Sequence, residues 1–138
     1  MRIVLDTNIL VSGLLSPYGA SADIVRMIAS GEIWICYDTR IIFEYKEVLL
    51  REKFCFLEEH VEALIGQIEK AGHFTTTRPL TKSLPDFDDE MFLEVAIYAK
   101  ADCLVTGNLK HYPKSRCEGI EVVSPRQFLD KLKNRPAF

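Results

Sequence analysis

Residues 2–8, Arg-Ile-Val-Leu-Asp-Thr-Asn, are the stretch that decides the class of fold. The apolar residues Ile3, Val4 and Leu5 are continuous rather than alternating, which is typical of a strand in a parallel sheet that helices cover on both faces. Asp6 follows this strand directly and precedes a predicted helix. Because ligands of open α/β sheets bind beyond the carboxyl ends of the strands, the stretch predicts Asp6 at the ligand-binding edge.

Short apolar strands alternate with helices along the rest of the chain. Further strands are predicted at 32–36, 74–77, 102–106 and 120–123. Helices are predicted at 7–15, 19–30, 39–53, 56–71 and 87–100, with a last one that begins at Ser124-Pro125. Such alternation indicates a mostly parallel sheet with helices on both faces. We therefore expect a three-layer α/β/α fold, and the 138 residues are enough for one domain, 1–138.

The composition limits the classes of protein to consider. Hydrophobic residues make up 48% of the chain and charged residues 27%, as in soluble globular proteins. No apolar run approaches the roughly 20 residues that span a bilayer, and the charge at Asp6 comes too early for a signal peptide. These features predict a cytoplasmic protein without a membrane segment. The cysteines Cys36, Cys55, Cys103 and Cys117 show no zinc-ligand spacing and are expected to be reduced thiols.

Asp89 lies on the apolar face of a predicted helix, where a carboxylate is costly. At about 100° per residue, Phe92 and Leu93 lie within roughly 60° of Asp89 around the helix axis. An unpaired buried charge is unfavourable, and a helix N-terminus recovers only about 1–2 kcal/mol. A bound cation would supply the remaining stabilisation that the buried charge of Asp89 requires. The neighbouring Asp86 is expected to cap the helix, and Asp88 to be a solvated charge.

For two other carboxylates, the sequence leaves a purely structural role open. Asp6 alone would be explained as the cap of the helix that follows it. Glu44 lies at the edge of the apolar arc of its helix, where it either belongs to a site or pairs with Arg40 or Arg51.

Polar residues follow two of the predicted strands at their carboxyl ends. Thr7 and Asn8 come directly after Asp6 and can hold the turn while one Asp6 oxygen faces the cleft. The sequence Leu-Val-Thr-Gly-Asn repeats this arrangement on another strand and brings Thr106 and Asn108 to the same edge. A simple turn is the alternative at this second position.

Three acids and one amide are all oxygen donors, and such a set suits a hard cation. Mg²⁺ and Mn²⁺ prefer these ligands, and a bound ion can orient a water for attack on a phosphate. The formal net charge of −3 argues against nucleic-acid binding by bulk electrostatics, since proteins that bind in this way are usually basic; this argument loses weight if the acidic residues converge on one site and a metal neutralises them there. The chain has no P-loop, glycine-rich dinucleotide motif or G-x-S-x-G motif.

The order of these segments resembles the PIN-domain family over essentially the whole chain. The resemblance depends on Leu-Asp-Thr-Asn at 5–8, on 42–49 around Glu44, on 88–96 around Asp89, and on Thr-Gly-Asn-Leu-Lys-His-Tyr-Pro at 106–113. The last three segments are similar to the toxin (VapC-like) branch of toxin–antitoxin systems. The resemblance implies a PIN-like fold and a metal-dependent endoribonuclease that hydrolyses RNA phosphodiester bonds with Mg²⁺ or Mn²⁺.

The resemblance also implies roles for particular residues. The acidic quartet of the family falls on Asp6, Glu44, Asp89 and position 108, and the first three would be the metal ligands. Asn108 is neutral, which departs from the family pattern and favours one firmly held metal, with a second recruited by substrate phosphate. The family further implies a homodimer and a cognate antitoxin that blocks the site.

A cluster of basic residues follows Asn108 and is predicted to bind substrate phosphates. Its members are Lys110, His111, Lys114 and Arg116. Solvated surface is the alternative for these residues. Two other functions stay open: a non-catalytic PIN-like module that binds RNA or protein, which the neutral Asn108 favours, and a small-molecule phosphatase. A phosphatase of the Asp-x-Asp type would need a second aspartate where Asn8 stands.

Overall fold

The structure is a computed structural model in which residues 1–134 are described. Within these residues, five strands form one sheet, all parallel, in the order β3-β2-β1-β4-β5. The strands are β1 (Arg2–Leu5), β2 (Trp34–Tyr37), β3 (His73–Phe74), β4 (Cys103–Val105) and β5 (Val122–Val123). Residues 135–138, the end of the predicted domain 1–138, lie outside the described part.

Six α-helices flank the sheet within the described residues. They are α1 (Thr7–Leu15), α2 (Ala20–Ala29), α3 (Thr39–Leu49), α4 (Glu58–Ala71), α5 (Glu90–Ala99) and α6 (Pro125–Lys133). The fold is thus the predicted three-layer α/β/α arrangement. None of the helices in residues 1–134 combines the length and the apolarity needed to cross a membrane.

The central strands are buried on both faces, as their continuous apolar sequence predicts. Ile3, Val4 and Leu5 of β1 have no exposed surface, and Leu5 is aligned with Val105 of β4. The hydrogen bonding continues one residue past the strands, because the Asp6 amide donates to the Val105 carbonyl at 3.0 Å. Asp6 and the end of β4 therefore lie side by side at the carboxyl edge of the sheet.

Helix caps confirm two of the predicted starts. The Asp38 side chain accepts a hydrogen bond from the Ile41 amide at 3.1 Å and caps α3. Ser124 caps α6 in a reciprocal arrangement with Gln127, and Pro125 occupies the first helical position. The cysteines are free thiols, and all but the exposed Cys55 are buried, as expected for core residues.

Three predicted boundaries differ from the structure by three residues or more, and several others by one or two. The predicted helix to residue 53 ends at Leu49, because Arg51 is extended (φ −63°, ψ 134°) before a separate 3₁₀ turn at Glu52–Phe54. The predicted strand 74–77 is confined to His73–Phe74. The predicted helix 87–100 begins with a 3₁₀ turn at Phe87–Asp89, so Asp89 precedes α5 and does not lie in its first turn.

Candidate active site

The Asp6 side chain is held at the carboxyl edge of the sheet by hydrogen bonds from Asn8, in α1, and from Thr106, which follows β4. Asp6 is 5% exposed, and its Oδ2 accepts a hydrogen bond from the Thr106 hydroxyl at 2.8 Å. Its Oδ1 accepts a long hydrogen bond of 3.5 Å from the Asn8 amide and caps α1. The Thr106 hydroxyl oxygen also accepts a hydrogen bond of 3.0 Å from the backbone amide of Asn108. Asp6 therefore both caps a helix and is oriented by Thr106 at the end of the adjacent strand.

Glu44 projects from α3 towards the start of α1. Its carboxylate accepts a hydrogen bond from the hydroxyl of the buried Thr7. Burial raises the pKa of Glu44 above its ordinary value; the Thr7 hydrogen bond opposes this, and the negative charge of Asp6 adds to it. The carboxylate of Glu44 is therefore close enough to Asp6 for their charges to repel.

The ion pair that the sequence offered as an alternative for Glu44 is not formed. Arg40 pairs instead with Asp38 at 2.7 Å and with Glu94 at 2.9 Å. Arg51 pairs with Glu47 at 3.2 Å.

Asp89 is buried at the junction of the 3₁₀ turn and α5, and its side chain does not cap the helix. One of its oxygens, Oδ2, lies 2.9 Å from Nδ1 of His111. Burial raises the pKa of Asp89, the charge of Asp6 raises it further, and the contact with His111 lowers it. Asp6 thus interacts electrostatically with both Glu44 and Asp89, although the three come from distant parts of the chain.

His111 and Asp86 form a tight group with Asp89. One oxygen of each aspartate and one ring nitrogen of His111 lie within 4.8 Å of one another. Asp86 also caps the 3₁₀ turn by accepting from the Asp88 amide at 2.9 Å, as predicted. Sequence reasoning missed its proximity to His111, and it predicted only a substrate contact for the histidine.

The topology explains why His111 meets Asp89. Helix α5 begins at the carboxyl edge of the sheet and ends at the opposite edge, and β4 then returns the chain to the carboxyl edge. The loop after β4, which carries His111, therefore lies beside the start of α5. A strand–helix alternation rule could have predicted this proximity, whereas residue spacing alone could not.

Asn108 and the basic residues of this loop other than His111 are exposed at the surface. Asn108 is exposed, and within residues 1–134 no side-chain hydrogen bond joins it to the three carboxylates. Lys110 and Lys114 are also exposed. Arg116 is exposed but tethered, because its Nη1 donates to the Ser83 carbonyl at 2.5 Å.

A cleft of about 300 Å³ opens beside Glu44, between α3 and α5. Two phenylalanines on its rim are unusually exposed, Phe43 at 71% and Phe87 at 79%. The remaining lining includes Arg40 and five carboxylates, those of Glu44, Glu47, Asp88, Glu90 and Glu94. The cleft is thus acidic and has an apolar rim.

A parallel α/β/α sheet with an acidic cluster at its carboxyl edge defines a nuclease-type fold with a possible metal site. The family model of the PIN domain matches residues 2–110, which is more than half of the 138 residues. The chain therefore belongs to the PIN-domain family, whose members are generally metal-dependent nucleases. The comparison with curated proteins gives no match.

Proposed function

We propose that this protein is a Mg²⁺- or Mn²⁺-dependent endoribonuclease that hydrolyses RNA phosphodiester bonds. The observation that carries the proposal is the placement of Asp6, Glu44 and Asp89: the charge of Asp6 acts on both other carboxyl groups, and donor atoms of Asp89, Asp86 and His111 lie within 4.8 Å of one another. Within residues 1–134, none of the three forms an ion pair with a lysine or arginine. Buried carboxylates without such partners are costly, and a divalent cation would balance their charge.

The residues present fit a hard divalent cation. Asp6, Glu44 and Asp89 supply oxygen donors, which Mg²⁺ and Mn²⁺ prefer, and burial has raised the pKa of Glu44 and Asp89. These three residues would hold the ion, with Asp86 and His111 beside it. A divalent ion in such a site orients water for attack on the phosphorus and stabilises the charge that develops.

Four other residues have supporting roles in this proposal. Thr7, Thr106 and His111 hydrogen-bond to Glu44, Asp6 and Asp89 respectively, and orient the carboxylates as outer-shell groups do in metal sites. Asn8 holds the turn after Asp6 through its backbone amide, which donates to the Asp6 carboxylate.

The exposed basic residues of the loop after β4 would bind the RNA backbone. Lys110, Lys114 and Arg116 would contact phosphates, which positions a substrate without reading its sequence. The His111 side chain is 43% exposed and would therefore also contact substrate. Its main role in this proposal is to orient the Asp89 carboxylate, which it contacts. Asn108, neutral and exposed, would contribute at most a weak fourth ligand.

The biological setting is part of the proposal. The likeness of 42–49, 88–96 and 106–113 to toxins of toxin–antitoxin pairs supports a role as the toxin of such a pair. On the same ground we propose a cytoplasmic homodimer and a cognate antitoxin protein that blocks the acidic site.

The decisive experiment is RNA cleavage by the purified full chain with and without divalent metal. We expect cleavage of RNA with Mg²⁺ or Mn²⁺ and none in excess EDTA. Glu44→Gln should lose the activity, whereas Glu62→Gln, the same change at an exposed position of α4, should retain it. Undiminished cleavage in excess chelator would exclude the metal mechanism.

The alternative is a PIN-like module that binds RNA or protein without cleaving it, and the neutral Asn108 favours it. Binding of diverse RNAs without cleavage, in the presence of metal and after bound antitoxin has been excluded, would establish that alternative.

A further inference from the structure

The hydroxyl of Tyr112 is a buried polar group without a partner. Tyr112 is only 4% exposed, and its hydroxyl is the one buried side-chain polar atom in residues 1–134 that has no hydrogen bond. A tyrosine hydroxyl can both donate and accept. Leaving it unpaired in the interior costs free energy, and such exceptions in folded proteins point to a water, an ion or a functional role.

Tyr112 lies beside the acidic group. It directly follows His111, whose ring contacts Asp89, and its backbone amide closes the 3₁₀ turn by donating to the Leu109 carbonyl at 3.1 Å. Burial raises the pKa of Tyr112, and the negative charges of Asp6, Asp89 and Glu44 raise it further. These charges act on the phenol, yet within residues 1–134 its hydroxyl forms a hydrogen bond with none of the three carboxylates.

Other buried tyrosines of the chain are satisfied by the protein itself. The Tyr45 hydroxyl donates to the Leu5 carbonyl at 2.5 Å, and the Tyr37 hydroxyl donates to the Glu69 carbonyl at 3.0 Å. Tyr112 differs because its hydroxyl has no hydrogen-bond partner within residues 1–134 and lies in the electric field of the carboxylates of the candidate metal site. A water molecule between the hydroxyl and that site would satisfy the phenol, and Mg²⁺ in proteins usually keeps several waters.

We propose that the Tyr112 hydroxyl hydrogen-bonds a water of the divalent cation held by Asp6, Glu44 and Asp89, and is a positioning residue for that hydration shell. This inference rests on the proposed metal site. It assigns to Tyr112 a role that Phe could not fill, although Phe would pack equally well. Tyr112→Phe is therefore the variant that tests it.

The first measurement is Mn²⁺ affinity by calorimetric titration of the wild type and Tyr112→Phe. We expect the variant to bind Mn²⁺ roughly tenfold more weakly, at the lower end of the 10–100-fold effect of outer-shell changes. A crystal structure with Mn²⁺ should show a water within hydrogen-bond distance of the Tyr112 hydroxyl.

The second measurement is thermal unfolding in EDTA and in saturating Mn²⁺, with Tyr37→Phe as the matched control. In EDTA, Tyr112→Phe should be as stable as the wild type or more stable, because it removes an unpaired hydroxyl. In Mn²⁺ it should gain less stability than the wild type. Tyr37→Phe should lose stability equally in both buffers and keep its Mn²⁺ affinity, since its hydroxyl has a protein acceptor.

Two results would overturn the inference alone. One is a wild type and a Tyr112→Phe variant with equal Mn²⁺ affinity and equal metal-induced stabilisation. The other is the same loss of stability in Tyr112→Phe with and without metal, which would mean that the hydroxyl has a partner independent of the ion. A wild type that binds no Mn²⁺ would overturn both this inference and the proposed metal-dependent function.

Discussion

Two sets of carboxylates border the cleft between α3 and α5, through Glu94 and Glu44 respectively, and their charges are balanced in different ways. Asp38 and Glu94, 8% and 6% exposed, share the guanidinium of Arg40. The same guanidinium also donates to the Thr77 hydroxyl at 3.0 Å. In the second set, the hydrogen-bond partners of the Asp6, Glu44 and Asp89 side chains within residues 1–134 are two threonine hydroxyls, a backbone amide and an imidazole.

The difference is the one expected between a structural role and the proposed metal-binding role. Asp38 caps α3 while Arg40 links it to α5 through Glu94, and the protein supplies the positive charge this requires. In the second set, hydroxyl groups orient Asp6 and Glu44 without neutralising them, and the imidazole of His111 contacts Asp89. A set of acids held in place but left negative is what binding of an external cation requires.

The largest expected effect is on catalysis and separates the two sets directly. Asp6→Asn and Asp89→Asn should each reduce metal-dependent RNA cleavage by more than about a hundredfold, because changes to outer-shell groups alone cost about 10–100-fold. Both should keep or gain stability in EDTA, since repulsion among like charges is relieved. Glu94→Gln should instead lose about 1–2 kcal/mol in the same buffer, less than the roughly 3–5 kcal/mol of a fully buried pair, because Arg40 is half-exposed and keeps Asp38.

Cleavage of a labelled RNA and chemical denaturation in EDTA would measure these effects, with Asp130→Asn on the surface of α6 as the charge-matched control. Unfolding of both Asp6→Asn and Asp89→Asn would show that these carboxylates are structural, like Asp38 and Glu94.

The pH dependence provides a second test of the comparison. The pKa values of Glu44 and Asp89 lie above their ordinary values of 4.5 and 3.8 in the folded protein, so the folded state binds their protons more tightly than the unfolded chain. Their protonation therefore stabilises the metal-free protein fully below about pH 4, and this contribution is lost as the pH rises through the raised pKa values.

Glu44→Gln imitates the protonated form and removes the contribution of Glu44. In EDTA, the stability of this variant relative to the wild type should increase between about pH 4 and pH 7. Mn²⁺ affinity of the wild type should fall on acidification, by about tenfold per pH unit for each proton that the ion displaces. A constant difference in stability across this range would contradict the raised pKa of Glu44.

Much of the fold could be predicted from local sequence, because the determining signals are local. The continuous apolar run before Asp6 indicates a strand covered on both faces, and Asp38 and Ser124 mark helix starts through their side-chain acceptors. The predicted helix start at residue 87 was wrong, because the Asp86 side chain accepts a hydrogen bond from the Asp88 amide and so favours a tight turn.

The contacts of the candidate site could be predicted only in part. The acidic residues are recognisable because strand ends and apolar helix faces are unusual places for carboxylates. The partner of Arg40 on α5, the contact of His111 with Asp89 and the unpaired hydroxyl of Tyr112 depend on how helices and loops pack across the sheet edge. Periodicity carries no information on such contacts between distant segments.

The smallest expected effect concerns Asn108, the position where the chain departs from the acidic pattern of its family. Asn108→Asp keeps the shape of the side chain and adds a negative charge close to Thr106, which orients Asp6. Because Asn108 is exposed, solvent screens the added charge, and exposed ion pairs contribute only about 0.2–1 kcal/mol. We therefore expect Mn²⁺ to bind up to roughly fivefold more tightly, most clearly for a second ion.

Asn134→Asp is the matched control, because it adds the same charge at the exposed end of α6 and should leave the affinity unchanged. Calorimetric titration of Mn²⁺ into the wild type and both variants, with an RNA cleavage assay beside it, would measure the difference. Equal affinity and stoichiometry in Asn108→Asp and the wild type would place position 108 beyond the reach of the ion. The carboxylates Asp6, Glu44 and Asp89, with Asp86 and His111 beside them, would then be the whole of the site that the cation meets.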